Sequence, residues 1–296
     1  MAQLGFLGLG IMGYPMARHL LEAGHEVALW THSTAKAREL AAQGKGTACA
    51  TPKEVAQRSD FICYCVGDNA MARAITLAKD GLIEGLRPNS ITADCSTISP
   101  AESIEIGGMF AAKGAHFLDA PITGSKAGAE GGTLTFMVGG DQAAFDRFKP
   151  YFEAMGKRMF YCGGAGQGLQ AKLALNLVSA NLLQTFSEAL VLAVKNGIKP
   201  ELMLEILDNT AGKSALMSAK APSILKRDFS TKFSIKWMHK DVGLALESAK
   251  AIDLPLPLTA VTEQMLRATI AKGYGEDDFC SVIRIMEDLA GVEVKT

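Results

Sequence analysis

The chain has no surplus of either charge. Its 296 residues include thirty Lys and Arg against thirty-one Asp and Glu, a formal charge of −1. That balance speaks against a general nucleic-acid or membrane-surface binder. The six cysteines (Cys49, Cys63, Cys65, Cys95, Cys162 and Cys280) contain no C-x-x-C pair. Cys63 and Cys65 lie two apart in a strand-like run, so they point to one face and read as small core hydrophobes. The five histidines show no metal-ligand spacing, and no Ser-His-Asp arrangement stands out, so no metal is expected. There is no basic leader with a cleavage site, no Arg-rich presequence, no internal repeat and no low-complexity linker. The most apolar stretch, residues 169–194, is interrupted by Lys172, Asn176, Asn181, Gln184 and Glu188, which a simple membrane span would not carry. A reduced, soluble, cytoplasmic protein is the expectation.

What remains is the composition of a globular chain, 48% apolar and 21% charged, long enough for about two domains. Over residues 1–164, short apolar runs at 4–7, 26–30, 61–66, 91–94, 116–119 and 135–138 read as strands. Helical stretches lie between them, with Pro15, Pro52 and Pro100 in first turns and Gly24 closing the first helix. Such alternation predicts an α/β fold with a parallel, doubly wound sheet. From 165 to 296 the pattern turns helical. Leu173, Leu177, Ala180, Leu183, Phe186, Leu190 and Val194 form one long stripe. Further helices are expected at 200–209, 215–225, 238–251, 258–272 and 279–290. The prediction is an all-helical second domain, entered through a long interdomain helix, with a cleft between the domains.

Four clusters can carry chemistry. Gly8-Leu9-Gly10-Ile11-Met12-Gly13 fits G-x-G-x-x-G, directly after an apolar strand and at the start of a helix, the context a dinucleotide fingerprint requires. There the backbone of Gly8, Gly10, Ile11, Met12 and Gly13 would meet the pyrophosphate. About twenty residues on, where an NAD site usually offers a carboxylate to the ribose, the chain has Thr31, His32, Ser33 and Lys36; nothing there repels a 2′-phosphate, so NADP(H) is favoured over NAD(H). The second cluster, 119–132, holds four glycines in nine positions with Thr123 and Ser125 among them, and reads either as a backbone concavity for a carboxylate or as an ordinary connection. In the third, Lys172 and Asn176 share a helix face beside the apolar stripe. Lys172 is either a lysine snorkelling at a helix edge or one that gives a proton to a carbonyl as hydride arrives. Lys240-Asp241, the fourth, reads by periodicity as a surface ion pair at the start of a helix.

In this order the clusters resemble the β-hydroxyacid dehydrogenase family, and the likeness covers essentially the whole chain. It rests on G-x-G-x-M-G followed by Met16-Ala17, Asp94-Cys95-Ser96-Thr97-Ile98-Ser99-Pro100, the D-x-P-x-T-G-S loop from Asp119, G-x-G-x-x-x-K-x-x-x-N from Gly166, and Lys240-Asp241. The resemblance implies Lys172 as catalytic acid/base, and Asn176, Thr123, Gly124 and Phe233 around the substrate. It places Val66, Gly67, Thr97 and Lys240 along the cofactor. It also implies a Rossmann domain that binds the dinucleotide, a helical domain for substrate and oligomerisation, and homodimers or homotetramers. Thr123-Gly124-Ser125-Lys126 and Glu276-Asp277-Asp278-Phe279 resemble the glyoxylate and succinic semialdehyde reductases most, although those usually carry Asn-Arg-Thr where this chain has Thr31-His32-Ser33. The expected activity is reduction of a small aldehyde acid to a hydroxyacid. A 3-hydroxyisobutyrate or tartronate semialdehyde enzyme is the alternative within the family, and a non-catalytic nucleotide-binding scaffold the alternative outside it.

Overall fold

The computed structural model describes residues 3–296, and the chain divides into two compact units at Lys172/Leu173. The first unit contains strands β1 (Gln3–Leu7), β2 (Glu26–Trp30), β3 (Gly46–Ala48), β4 (Phe61–Tyr64), β5 (Ile91–Asp94), β6 (His116–Asp119), β7 (Ile122–Thr123), β8 (Leu134–Gly140) and β9 (Gly156–Gly163). Between them run α1 (Gly13–Glu22), α2 (Thr34–Ala41), α3 (Pro52–Arg58), α4 (Asn69–Leu77), α5 (Pro100–Ala111), α6 (Ser125–Glu130) and α7 (Gln142–Met155). The strands form one sheet in the order β3-β2-β1-β4-β5-β6-β8-β7, with β9 beside β8.

Apolar runs without polar alternation make these strands because both sheet faces are covered. Leu4 and Phe6 of β1 enter one core layer with Leu20, Phe136, Phe148 and Phe152. Leu7 enters the other with Tyr64, Ile75 and Phe110. Cys63 and Cys65 both face the first layer as expected, and the Cys63 Sγ meets the Cys95 Sγ at 3.3 Å. Helix starts follow their caps: Thr51, Asp68 and Asp141 accept the N–H groups of Glu54, Met71 and Ala144 at 3.1, 2.8 and 2.8 Å, each worth about 1 kcal/mol.

The parallel sheet has one departure from expectation. β8 runs antiparallel to both β6 and β7. The connection from β6 is short, so the chain comes back on itself through β7 and α6 instead of crossing over a helix. β3, β7 and β9 are strands that apolar periodicity does not reveal. β3 and β7 have three and two residues, and β9 keeps Lys157 and Arg158 exposed, as edge strands do.

The second unit is helical. The long helix α8 (Gln167–Lys195) continues into it and is followed by α9 (Pro200–Asp208), α10 (Ala215–Leu225), α11 (Ile235–Lys250), α12 (Pro257–Ala271), a 3₁₀ turn at Phe279–Val282 and α13 (Ile283–Ala290). By length and composition α8 would pass for a membrane span, but its stripe Leu183, Phe186 and Leu190 lies in a protein core with Ile224, Ile235, Met238, Val242, Leu266 and Ile283. Each such side chain contributes about 1.5–3 kcal/mol on burial.

Candidate active site

Parallel register places the carboxyl ends of five strands in one row. Trp30 pairs with Leu7, Leu7 with Tyr64, Tyr64 with Asp94, and Asp94 with Asp119. The order reverses between β1 and β4, and a crevice outside that switch point is where doubly wound sheets hold their ligands. The segments leaving this edge carry the first unit's predicted residues: Gly8–Gly13 after β1, Thr31–Lys36 after β2, Val66 and Gly67 after β4, Thr97 after β5, and Thr123 and Gly124 beyond β6.

The turn after β1 fits a dinucleotide. Gly8 has φ +85°, and a Cβ there would lie 2.3 Å from the Cys65 carbonyl oxygen. A Cβ on Gly13 would lie 1.9 Å from the Gly8 carbonyl oxygen. Gly10 has open space where its Cβ would be, which lets a pyrophosphate come against the backbone at the start of α1. Ile11 is exposed and Met12 half-buried. Gly13→Ala is expected to force Gly8 aside, cost about 1–3 kcal/mol in overpacking and abolish dinucleotide binding, readable by thermal unfolding and by cofactor titration.

Beyond β2, Thr31 is half-buried and His32 exposed, with the His32 ring edge-on to Trp30 at 4.9 Å. Ser33 precedes α2 without spending its hydroxyl on a cap. The Lys36 ammonium stands 5.4 Å from the Tyr14 ring centroid, an arrangement that restrains the ammonium through the ring's negative face.

The loops after β4 and β5 brace one another. The Asp94 carboxylate accepts the Ser96 N–H at 2.8 Å, and the Ser96 hydroxyl accepts the Val66 N–H at 2.9 Å. Burial pushes the Asp94 carboxyl up to about 6. Val66, Gly67 and Thr97 are therefore carried on a shared hydrogen-bonded support.

Of the two readings of the Gly-rich segment, the backbone of its later glycines follows the ordinary connection. Gly124 (φ +133°) and Ser125 (φ +55°) turn the chain directly into α6. The N–H groups of Gly128, Gly131 and Gly132 donate to Gly124, Ala127 and Ala129 carbonyls. Those three glycines serve the helical turn, which leaves half-buried Thr123 and exposed Gly124 through Ala127 as the part that faces outward.

Lys172, in the second turn of α8, is only 7% exposed. The turn ahead of it is held by Asp119, whose carboxylate oxygens accept the Gly166 N–H at 2.7 Å and the Leu169 N–H at 2.8 Å. Burial pushes this carboxyl up to about 6 against the pull of those donors.

In the second unit, buried Asn176 donates from Nδ2 to Asp241 Oδ2 at 2.6 Å, and Lys240 Nζ lies 3.1 Å from Asp241 Oδ1 and 5.5 Å from the Trp237 ring centroid. Lys240-Asp241 is thus not a surface pair at a helix start: α11 begins five residues earlier, and Asp241 is 2% exposed. A signal was present, because Asp241 falls in the inward spacing of Met238, Val242 and Ala245. Phe233 belongs to a separate hub. Asp278 accepts both Lys220 Nζ contacts at 2.7 and 2.8 Å and the N–H groups of Lys232 and Phe233 at 3.2 Å. The Phe233 ring meets Phe279 edge-on at 5.9 Å. Burial works to raise the Asp278 carboxyl, but the Lys220 ammonium and the backbone donors outweigh it and hold it below the ordinary value. Among the described residues, no group of three His, Cys, Asp or Glu is placed to hold a metal ion.

Comparison with known proteins agrees with this geometry. Residues 3–164 match the family model for the NAD binding domain of 6-phosphogluconate dehydrogenase, and residues 166–286 that for the NAD-binding region of NADP-dependent 3-hydroxyisobutyrate dehydrogenase. The chain is 36% identical to 2-(hydroxymethyl)glutarate dehydrogenase of Eubacterium barkeri over 99% of its own length and 97% of that protein's. It is 33% identical to glyoxylate/succinic semialdehyde reductase 1 of Arabidopsis thaliana, covering 96% and 98%. The structure of Mycobacterium tuberculosis 3-hydroxyisobutyrate dehydrogenase with L-serine is similar at TM-score 0.88 and 31% identity, over 97% of this chain and 99% of that one. With a Rossmann nicotinamide-dinucleotide domain followed by a helical domain, the chain belongs to the β-hydroxyacid dehydrogenase family of NAD(P)-dependent oxidoreductases.

Proposed function

We propose that this enzyme uses NADPH to reduce small aldehyde acids of the glyoxylate and succinic semialdehyde type to their hydroxyacids, with Lys172 as proton donor. The observation that carries the reading is a buried lysine on a helix whose first turn is hydrogen-bonded to the carboxyl end of β6, beside the edge where the fingerprint turn lies. Gly8, Gly10, Ile11, Met12 and Gly13 would hold the pyrophosphate, Val66, Gly67, Thr97 and Lys240 are assigned to the cofactor, and a nicotinamide held there would supply the hydride. As the carbonyl carbon accepts it, the C=O π pair moves to oxygen and Lys172 transfers an ammonium proton to that oxygen. Asn176, its amide oriented by Asp241, and Phe233 are assigned to substrate binding, and the Thr123–Gly124 backbone to the far carboxylate. Oxidation of the hydroxyacid runs through the same groups in reverse.

The aldehyde-acid assignment rests on the Thr123–Lys126 and Glu276–Phe279 segments and on likeness to the Arabidopsis reductases. Relatives of similar identity are named for other acids, including 2-hydroxy-3-oxopropionate reductase of Escherichia coli at 35%. An NADPH-consumption screen over glyoxylate, succinic semialdehyde, methylmalonate semialdehyde and tartronate semialdehyde tests it. The first two are expected to give the highest kcat/KM. A preference for either of the others overturns the substrate assignment, and cofactor binding without turnover on all four points to a scaffold.

The preference for NADPH rests on Thr31, His32, Ser33 and Lys36, none of which repels a 2′-phosphate. Ser33→Asp combined with Lys36→Glu is expected to move the ratio of kcat/KM values towards NADH by about 10–100-fold, equivalent to about 1.4–2.8 kcal/mol. Steady-state kinetics with both cofactors reads this, and a wild-type enzyme that favours NADH overturns the assignment.

A further inference from the structure

We propose that Asp119 is a positioning residue: its carboxylate clamps the first turn of α8 to the end of β6 and so sets where Lys172 stands. The inference rests on Lys172 being the proton donor. A helix start leaves unpaired N–H groups that are ordinarily met by the side chain just ahead of it. The residues ahead of α8 are Gly164, Ala165 and Gly166, which have no polar side chain to offer. The cap comes instead from about 50 residues away in sequence. Asp119 spends one oxygen on Gly166 and the other on Leu169, where negative charge also suits the helix dipole.

The contact is built to be close. A Cβ on Gly168 would lie 2.4 Å from the Met137 carbonyl oxygen and 2.7 Å from that of Asp119, and a Cβ on Gly139 would lie 2.6 Å from Asp119 Oδ1. Backbone therefore meets backbone where β6, β8 and α8 converge, and Leu169 is fully buried in the sheet's second core layer. Lys172 follows Leu169 by three residues, less than one turn of a rigid helix, so a shift of the clamp becomes a shift of the lysine. Asp119 also begins the segment that reaches Thr123 four residues later, so both halves of the first unit's proposed substrate site hang from it. A cap with only local work would cost stability when removed. A positioning residue costs rate, and does so through Lys172.

The test is a mutant cycle on kcat, with the cofactor Kd and KM measured alongside. Asp119→Asn keeps the shape but offers one acceptor where two are used. It is expected to lower kcat by about 10–100-fold, the scale on which about 1 Å of misplacement acts, with cofactor Kd unchanged. In the Lys172→Ala background the same substitution is expected to change the residual rate less than about twofold, because residues acting as one unit are not additive. Equal factors in both backgrounds, or an unchanged kcat, overturn the proposal while leaving Lys172 in place. Near-normal turnover in Lys172→Ala alone removes the lysine, and this inference with it. Should Asp119→Asn not fold, Asp119→Glu keeps the charge but pushes the clamped turn outward by a methylene, and the same cycle with it decides.

Discussion

Lys172→Ala is expected to lower kcat by about 10²–10⁴-fold, the usual contribution of a positioned general acid and the role proposed for this lysine, while the protein still binds its nicotinamide cofactor. The lysine is asked to act on charge that builds on the carbonyl oxygen only as hydride is transferred, so kcat and kcat/KM are expected to fall together. Lys172→Arg is not expected to restore the rate, because a guanidinium neither gives up its proton readily nor fits the space of an ammonium. Stopped-flow consumption of NADPH with a saturating aldehyde acid, beside a fluorescence titration of the cofactor, separates the two quantities. Turnover close to that of the unaltered enzyme removes Lys172 from the mechanism.

The largest loss of stability is expected at the Lys220–Asp278 pair. Asp278 is 2% and Lys220 8% exposed, and removing one partner of a buried pair costs about 3–5 kcal/mol because the other charge stays behind unpaired. The two ends are not equivalent. Lys220→Met leaves Asp278 still accepting backbone N–H groups of Lys232, Phe233 and Cys280. Asp278→Ala strands those three donors together with the ammonium. Asp278→Ala is therefore expected to be the more destabilising and, if Phe233 has its proposed place at the substrate, to raise KM as Phe233 loses its mooring. Urea unfolding followed by circular dichroism ranks the pair, and equal or smaller losses for Asp278→Ala refute the asymmetry.

The parts legible from sequence were those with a strong local signal. The strands at 26–30, 91–94 and 116–119 match β2, β5 and β6 residue for residue, because runs buried on both faces leave nothing else for apolar residues to do. The helix at 215–225 matches α10, and the stripe from Leu173 to Val194 lies within α8. The fingerprint turn could be read because three glycines sit at positions where a side chain would strike backbone or close off open space. The antiparallel β8 could not be read, since direction is decided by a connection that leaves no periodic mark. The bracing acids were hidden for a related reason. Asp119, Asp241 and Asp278 each lie in a segment the sequence singles out, but their bracing role comes from partners about 50 to 65 residues away that only the folded chain assembles. For Asp241 its place in an inward stripe was a further clue to burial.

The row from Trp30 to Asp119 has an evolutionary reading. β2, which leads into the residues proposed to choose between the two dinucleotides, is separated from β6 by β1, β4 and β5, about 19 Å at the usual interstrand spacing. On the proposed assignment of the two ends, selection can retune the coenzyme at one and the carbon skeleton at the other without either change undoing its counterpart, so that such a scaffold diversifies by recombining the loops along a single rim.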